Sequence, residues 1–154
     1  MKLLILIHVL SSIIGVGPTF FGHVLTRPSQ SLEDLRASYR FSKHLELFPK
    51  IGGTLAVLSG IVLYIIGDYG KFTQLWIIGS LILYVLIQII VIAFITPKQK
   101  IVSNWLFDEK NKNIDVINAE ILQTQKQINN LFYLASFLGV LLFIFMILKP
   151  IVFG

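Results

Sequence analysis

Cysteine is absent from the 154 residues, which excludes disulfides, thiolate metal sites and cysteine nucleophiles together. Charge is scarce as well: 14% of the residues are charged, where soluble domains average about a quarter. Acidic residues number 8 against 13 Lys and Arg, and none of the 8 lies inside the long apolar stretches of the chain. A transporter driven by protonation of a buried carboxylate is therefore not expected, because that chemistry needs an acid within a span. The sequence also lacks a carboxylate pair, a nucleophile triad and a Gly-rich phosphate loop.

What fills the chain instead is hydrocarbon. Hydrophobic residues make up 55%, and the mean hydropathy is +0.80. A soluble domain of this size buries only about 70% of its chain surface, so it would have to expose stretches such as Ile51 to Ile66 to water. A bilayer removes the contradiction. A hydrocarbon core about 30 Å thick takes roughly 20 apolar helical residues, and four segments qualify: Leu3 to Leu25, Phe48 to Ile66, Leu75 to Ile95 and Leu131 to Val152. A secretory signal over residues 1 to 17 is the rival for the first, but its apolar run continues to Leu25, longer than a signal core.

Gly67, Asp68, Tyr69, Gly70 and Lys71 form a short turn, which predicts that spans two and three pair as an antiparallel hairpin. The cations set the orientation. Arg27, Arg36, Arg40, Lys43 and Lys50 cluster at the first loop, and Lys98, Lys100, Lys110, Lys112 and Lys126 at the third, leaving Lys2, Lys71 and Lys149 for the other side. By the positive-inside rule the first and third loops are cytoplasmic and both termini face outward, with Tyr69 and Trp76 at the outer interface. In this setting the net charge of +5 reports topology, and no nucleic-acid partner is expected.

The first loop reads as a helix capped by Ser31, with Asp34 three residues on and Leu35, Tyr39 and Ser42 along one face. Pro49 bends or restarts it at the membrane. In the third loop Pro97 follows span three, Lys98 to Phe107 form a short helix, and Asn111 to Asn113 break it. Ile114, Ile117, Ile121, Thr124 and Ile128 then recur at helical spacing. That stripe is expected to begin the fourth helix before the bilayer. It packs on the first-loop helix or a second copy, or it docks a partner of a larger membrane complex.

Ionisable groups within a span are costly and mark candidate sites, and here the first helix supplies them. His8, Ser12, Gly15, Thr19 and Gly22 to His23 share a face, with a Gly17-Pro18 step expected to kink the helix. The imidazole of His8 can serve a metal or haem iron, or it can bond a neighbouring backbone. His23, beside Arg27, is expected to reach the headgroups. Counting depth from both ends, Met146 of span four levels with His8, which makes a His/Met haem pair conceivable; Met146 is equally a core filler. Copper or zinc at His8 would lack further ligands. Gly52, Ala56 and Gly60 form a small-residue face on span two, and Tyr64, Tyr84 and Gln88 line a pocket or pair as glue.

The run from Ile7-His8 through Gly15-Val16-Gly17-Pro18-Thr19-Phe20-Phe21, followed by Arg27, resembles the opening helix of a family of small bacterial integral membrane proteins, the domain of unknown function numbered 2269. Ser59-Gly60, Trp76 and Thr96-Pro97 extend the likeness over most of the chain. It implies a four-span fold with no established activity; the expected location is the bacterial cytoplasmic membrane. More distantly, a histidine early in span one before a Gly-containing stretch is similar to the membrane protoporphyrinogen oxidase HemJ and to copper-resistance D membrane domains. That likeness implies haem at His8. The oxidase's lysine early in span three is replaced by Gly79 and Ser80, which weighs against its activity here.

The expectation is thus an all-α, polytopic four-helix bundle with helical cytoplasmic extensions. It holds haem b at His8 in a redox or haem-handling role, or else acts as a non-enzymatic membrane subunit, a homo-oligomer or a small-solute or metal permease.

Overall fold

The computed structural model describes residues 1–150. Among them the chain is helical apart from connections. The elements are α1 (Lys2–Leu25), α2 (Leu32–Leu45), α3 (Leu47–Ile66), α4 (Leu75–Ile89), α5 (Thr96–Leu106) and α6 (Ala119–Leu148). Four helical stretches are long and apolar enough to cross a membrane: Lys2–Leu25, Leu32–Ile66, Leu75–Leu106 and Ala119–Leu148. The expected end of the fourth span, at 152, lies outside the described residues.

The order in space differs from the order in sequence. α1 packs on α3 and α6, and α6 packs on α4, so the closely packed pairs run α3, α1, α6, α4. The turn between α3 and α4 falls where expected, but those two helices do not pack closely as a hairpin. The reason is steric. α1 and α3 offer Gly15 opposite Gly52 and Gly53, where a Cβ on Gly15 would stand 2.7 Å from the Gly52 carbonyl carbon. Backbones that touch gain many dispersion contacts, the main attraction left between helices in lipid. Tyr84 of α4 reaches across to α3, its hydroxyl 3.0 Å from a Cβ built on Gly53.

Span three does not stop at Pro97. Residues Ile90–Ile95 form a π-helical segment, and the helix runs on into α5. The Thr96 amide bonds to the Val91 carbonyl, five residues back, and the Thr96 hydroxyl donates to the same oxygen at 2.9 Å. This wider turn shifts the hydrogen-bond register just before the proline and lets the helix pass through it.

Burial is uneven, and the solvent explains it. The apolar core consists of Leu35, Tyr39, Ile95, Val102, Leu106, Ile121 and Ile128, contributed by α2, α5, the π segment and the start of α6. It lies at the end of the bundle where α2 and α5 sit, and there water enforces burial. Within the spans, by contrast, only 11% to 28% of each apolar window is buried, since lipid solvates Leu and Ile side chains as well as a neighbouring helix does. The stripe expected at the fourth helix supplies this core: Ile121 and Ile128 are buried. Ile114 and Ile117 precede the helix instead of belonging to it, because Asn118 caps α6 by accepting from the Ile121 amide at 2.8 Å.

Candidate functional site

α1 is uncapped at its start and runs unbroken through Pro18 to Leu25. Its polar stripe is divided between two neighbours. Toward α3 it presents His8 and Gly15; toward α6 it presents Thr19 and Gly22, whose carbonyl and Cα face Ser136 and Phe132 respectively. Ser12 turns back and donates to the His8 carbonyl at 2.7 Å, a local bond that hides its hydroxyl from the bilayer.

His8 is half-buried. Its Nδ1 lies 2.8 Å from the Ala56 carbonyl oxygen and 3.2 Å from Ser59 Oγ. A carbonyl oxygen has no proton to give, so Nδ1 carries the hydrogen and donates. Ser59 Oγ donates its own proton to the Leu55 carbonyl at 2.6 Å, which leaves its lone pair for the same Nδ1–H. The neutral ring is therefore the Nδ1–H tautomer, and Nε2 holds the free lone pair. Gly60 makes this pose possible: a Cβ there would stand 3.0 Å from His8 Cε1. The small-residue face of span two thus has two jobs, since Gly52 admits the α1 backbone and Gly60 admits an imidazole.

Met146 is half-buried on α6, next to Phe145, whose ring covers Gly79 of α4. No hydrogen bond among the described residues links it to His8 or to the α1–α3 seam. His23 departs from expectation. Instead of reaching outward it stacks on Tyr133, ring centroids 4.5 Å apart, and its Nδ1 is buried without a partner. Tyr64 donates weakly to Gly70 across the turn, and Tyr84 points at Gly53, so these tyrosines do not pair with each other. No group of three His, Cys, Asp or Glu able to hold a metal occurs among the described residues.

A second polar assembly had not been expected. Where α1 ends, its last carbonyls would be orphaned near the membrane boundary. Side chains from elsewhere meet them: Gln125 Nε2 donates to Thr26 O at 2.8 Å, Asn129 Nδ2 to His23 O at 2.6 Å, and Gln30 Nε2 to Leu25 O at 2.8 Å. Tyr39 then donates to Gln125 Oε1 at 2.7 Å. Gln125 is wholly buried and Thr26 nearly so. Burial pushes the Tyr39 phenol well above its ordinary pKa. The signal was present in the sequence as Gln125 and Asn129 on the same helical face as Ile121 and Ile128, polar positions within an apolar stripe.

This assembly also answers the question of the fourth-helix stripe. Ile121, Ile128 and Gln125 are used inside the molecule, against α2 and α5, while Ile114 is exposed.

No curated protein and no solved structure matches the chain. A family model described as "Predicted integral membrane protein (DUF2269)" matches residues 2–150. With nearly the whole chain matched and four helices fit to cross a bilayer, the protein is a multi-pass integral membrane protein and belongs to that family.

Proposed function

We propose that this is a b-type haem-binding protein of the bacterial cytoplasmic membrane, with His8 as the iron ligand and a redox or haem-handling role. The observation that supports the reading is the bond from His8 Nδ1–H to the Ala56 carbonyl. Ligating histidines characteristically donate their other ring N–H to a carbonyl or carboxylate, which fixes the tautomer and raises the basicity of the ligating nitrogen. The donor set fits haem better than zinc or copper, because one imidazole suffices for a haem iron whereas those ions need three or four protein ligands.

In this reading Ala56 and Ser59 hold the ring, Gly60 clears space beside it, and His8 Nε2 is the donor. Met146, level with His8 by count along the helices, would be the second residue to hold the group. Haem bound there would supply one-electron chemistry. The cation asymmetry noted in the sequence supports placing the α2 and α5 end in the cytoplasm, which sets His8 in the outer half of the bilayer.

The test is an optical spectrum of the purified protein, expressed with haem precursor, before and after dithionite. A stoichiometric Soret band that vanishes in His8→Ala is expected, with Met146→Leu shifting the spectrum if it is the second ligand. A colourless wild-type protein that stays colourless after haem addition, or an unchanged spectrum in His8→Ala, would overturn the proposal.

A further inference from the structure

On the lipid-facing side of the α1–α3 seam lies an apolar groove of about 240 Å³. Ile14 forms one wall, Phe48, Ile51 and Leu55 the other, and Ser11 and Gly52 meet at its floor. The floor is deep because the two backbones touch there, Gly52 against Gly15 and the Ser11 carbonyl. From Leu47, at its mouth, to Leu55 the groove follows α3 for about 12 Å at roughly 1.5 Å per residue. One leaflet of the hydrocarbon core is about 15 Å deep, half of about 30 Å. The groove therefore runs along most of one leaflet, from the α2 end inward.

The groups at its mouth are set by helix geometry. α2 and α3 are joined through Glu46, itself in helical conformation with φ −59° and ψ −24°, so helical spacing carries across the joint. His44 lies four, seven and eleven residues before Phe48, Ile51 and Leu55, on the groove's own face. Lys43 stands four before Leu47, and Lys50 flanks them; these three polar residues are exposed. Arg40, one turn before His44, turns away, its guanidinium 5.7 Å from the centre of the Phe107 ring. The one acid nearby is Glu46, which accepts an ion pair from Lys50 at 3.3 Å with both side chains mostly in solvent. The local balance is thus two fixed cations against one anion. Phe41, 64% exposed, adds an aromatic anchor at the same level.

We propose that this groove and the Lys43–His44–Lys50 corner form a binding site for one anionic phospholipid, an acyl chain in the groove and the phosphate at the cations. A single chain fits the apolar walls, and the cations complement the headgroup where a juxtamembrane basic cluster is attractive to anionic lipid. The site is separate from His8 and stands whether or not haem binds.

The experiment is native mass spectrometry of the full-length protein released from nanodiscs of equal dioleoylphosphatidylglycerol and dioleoylphosphatidylcholine. The wild type is expected to keep one phosphatidylglycerol. The variant Lys43→Gln/Lys50→Gln should lower that preference by about fivefold or more, the weight of one or two cations near an anionic surface. Ile51→Trp, which fills the groove, should lose the adduct, whereas Ile82→Trp on the exposed face of α4 should keep it. Both lysines are exposed, so the charge variant tests the site without touching the fold. Equal retention of the two lipids, an adduct that survives Ile51→Trp, or no retained lipid would each overturn the proposal.

Discussion

Replacing Gly15 by alanine tests the seam on which both α1 sites depend. The added methyl would lie 2.7 Å from the Gly52 carbonyl carbon and 2.9 Å from Gly53 Cα, against ordinary carbon contacts of about 3.5–4.0 Å. The opposing atoms are backbone and cannot rotate away, so the helices must part by roughly 1 Å, the shortfall between those distances. Overpacking of this kind costs about 1–3 kcal/mol. Parting also stretches the His8–Ala56 bond, and interhelical bonds in membranes average about 0.6 kcal/mol. Against this, alanine gains up to about 1 kcal/mol of helix propensity. The net expectation is a loss of about 1–2 kcal/mol, the balance of these terms. Gly17→Ala is the control, because a Cβ there meets nothing within 4 Å; it should be neutral or slightly stabilising. Reversible unfolding in mixed micelles, followed by circular dichroism, reads both. Equal stability of Gly15→Ala and Gly17→Ala would refute the close α1–α3 contact.

The polar cap on α1 makes its own demands. Gln125→Leu strands the Tyr39 hydroxyl and the Thr26 carbonyl and should cost about 2–6 kcal/mol, at about 1–3 for each buried group left unpaired. The double variant with Tyr39→Phe should cost less than the sum of the singles, because the two side chains are partners. Since burial raises the folded-state pKa of Tyr39 above an unfolded value of about 10, its contribution is complete below that value and is lost as pH rises beyond it. Denaturation midpoints should therefore fall in alkaline solution, with the decline reduced in Tyr39→Phe. At the opposite end, Lys149 Nζ sits 5.4 Å and 5.1 Å from the ring centres of Tyr69 and Trp76. Lys149→Gln should lose about 0.5–1 kcal/mol and alter the Trp76 emission.

Much of the architecture was legible in hydropathy. The expected starts at Phe48 and Leu75 fall within a residue of α3 and α4, and Ser31 caps α2 through the Asp34 amide as the capping pattern implies. Packing order was harder to read. A short turn constrains where α3 and α4 connect, but contact is decided by which helices carry opposed glycines, and Gly15 with Gly52 won over the turn. Pro97 misled for a similar reason: proline removes one hydrogen bond, and a wider turn at Ile90–Ile95 absorbs the loss. For the site, the sequence marked His8 as a costly group in a span, while its tautomer depended on Ala56 and Ser59, 48 and 51 residues away. His23 looked like an interface residue because Arg27 follows it, and only the fold shows Tyr133 covering it.

The most direct measurement of the central claim is haem recovery in His8→Gly with and without added imidazole. Removing the side chain deletes an α1–α3 bond together with the proposed ligand, and only a ligand role would be restored by a free imidazole. The account predicts a haem-free variant whose reduced-minus-oxidised bands return as imidazole is titrated in. Haem retained by His8→Gly without imidazole, or a wild-type protein that binds none, would contradict it.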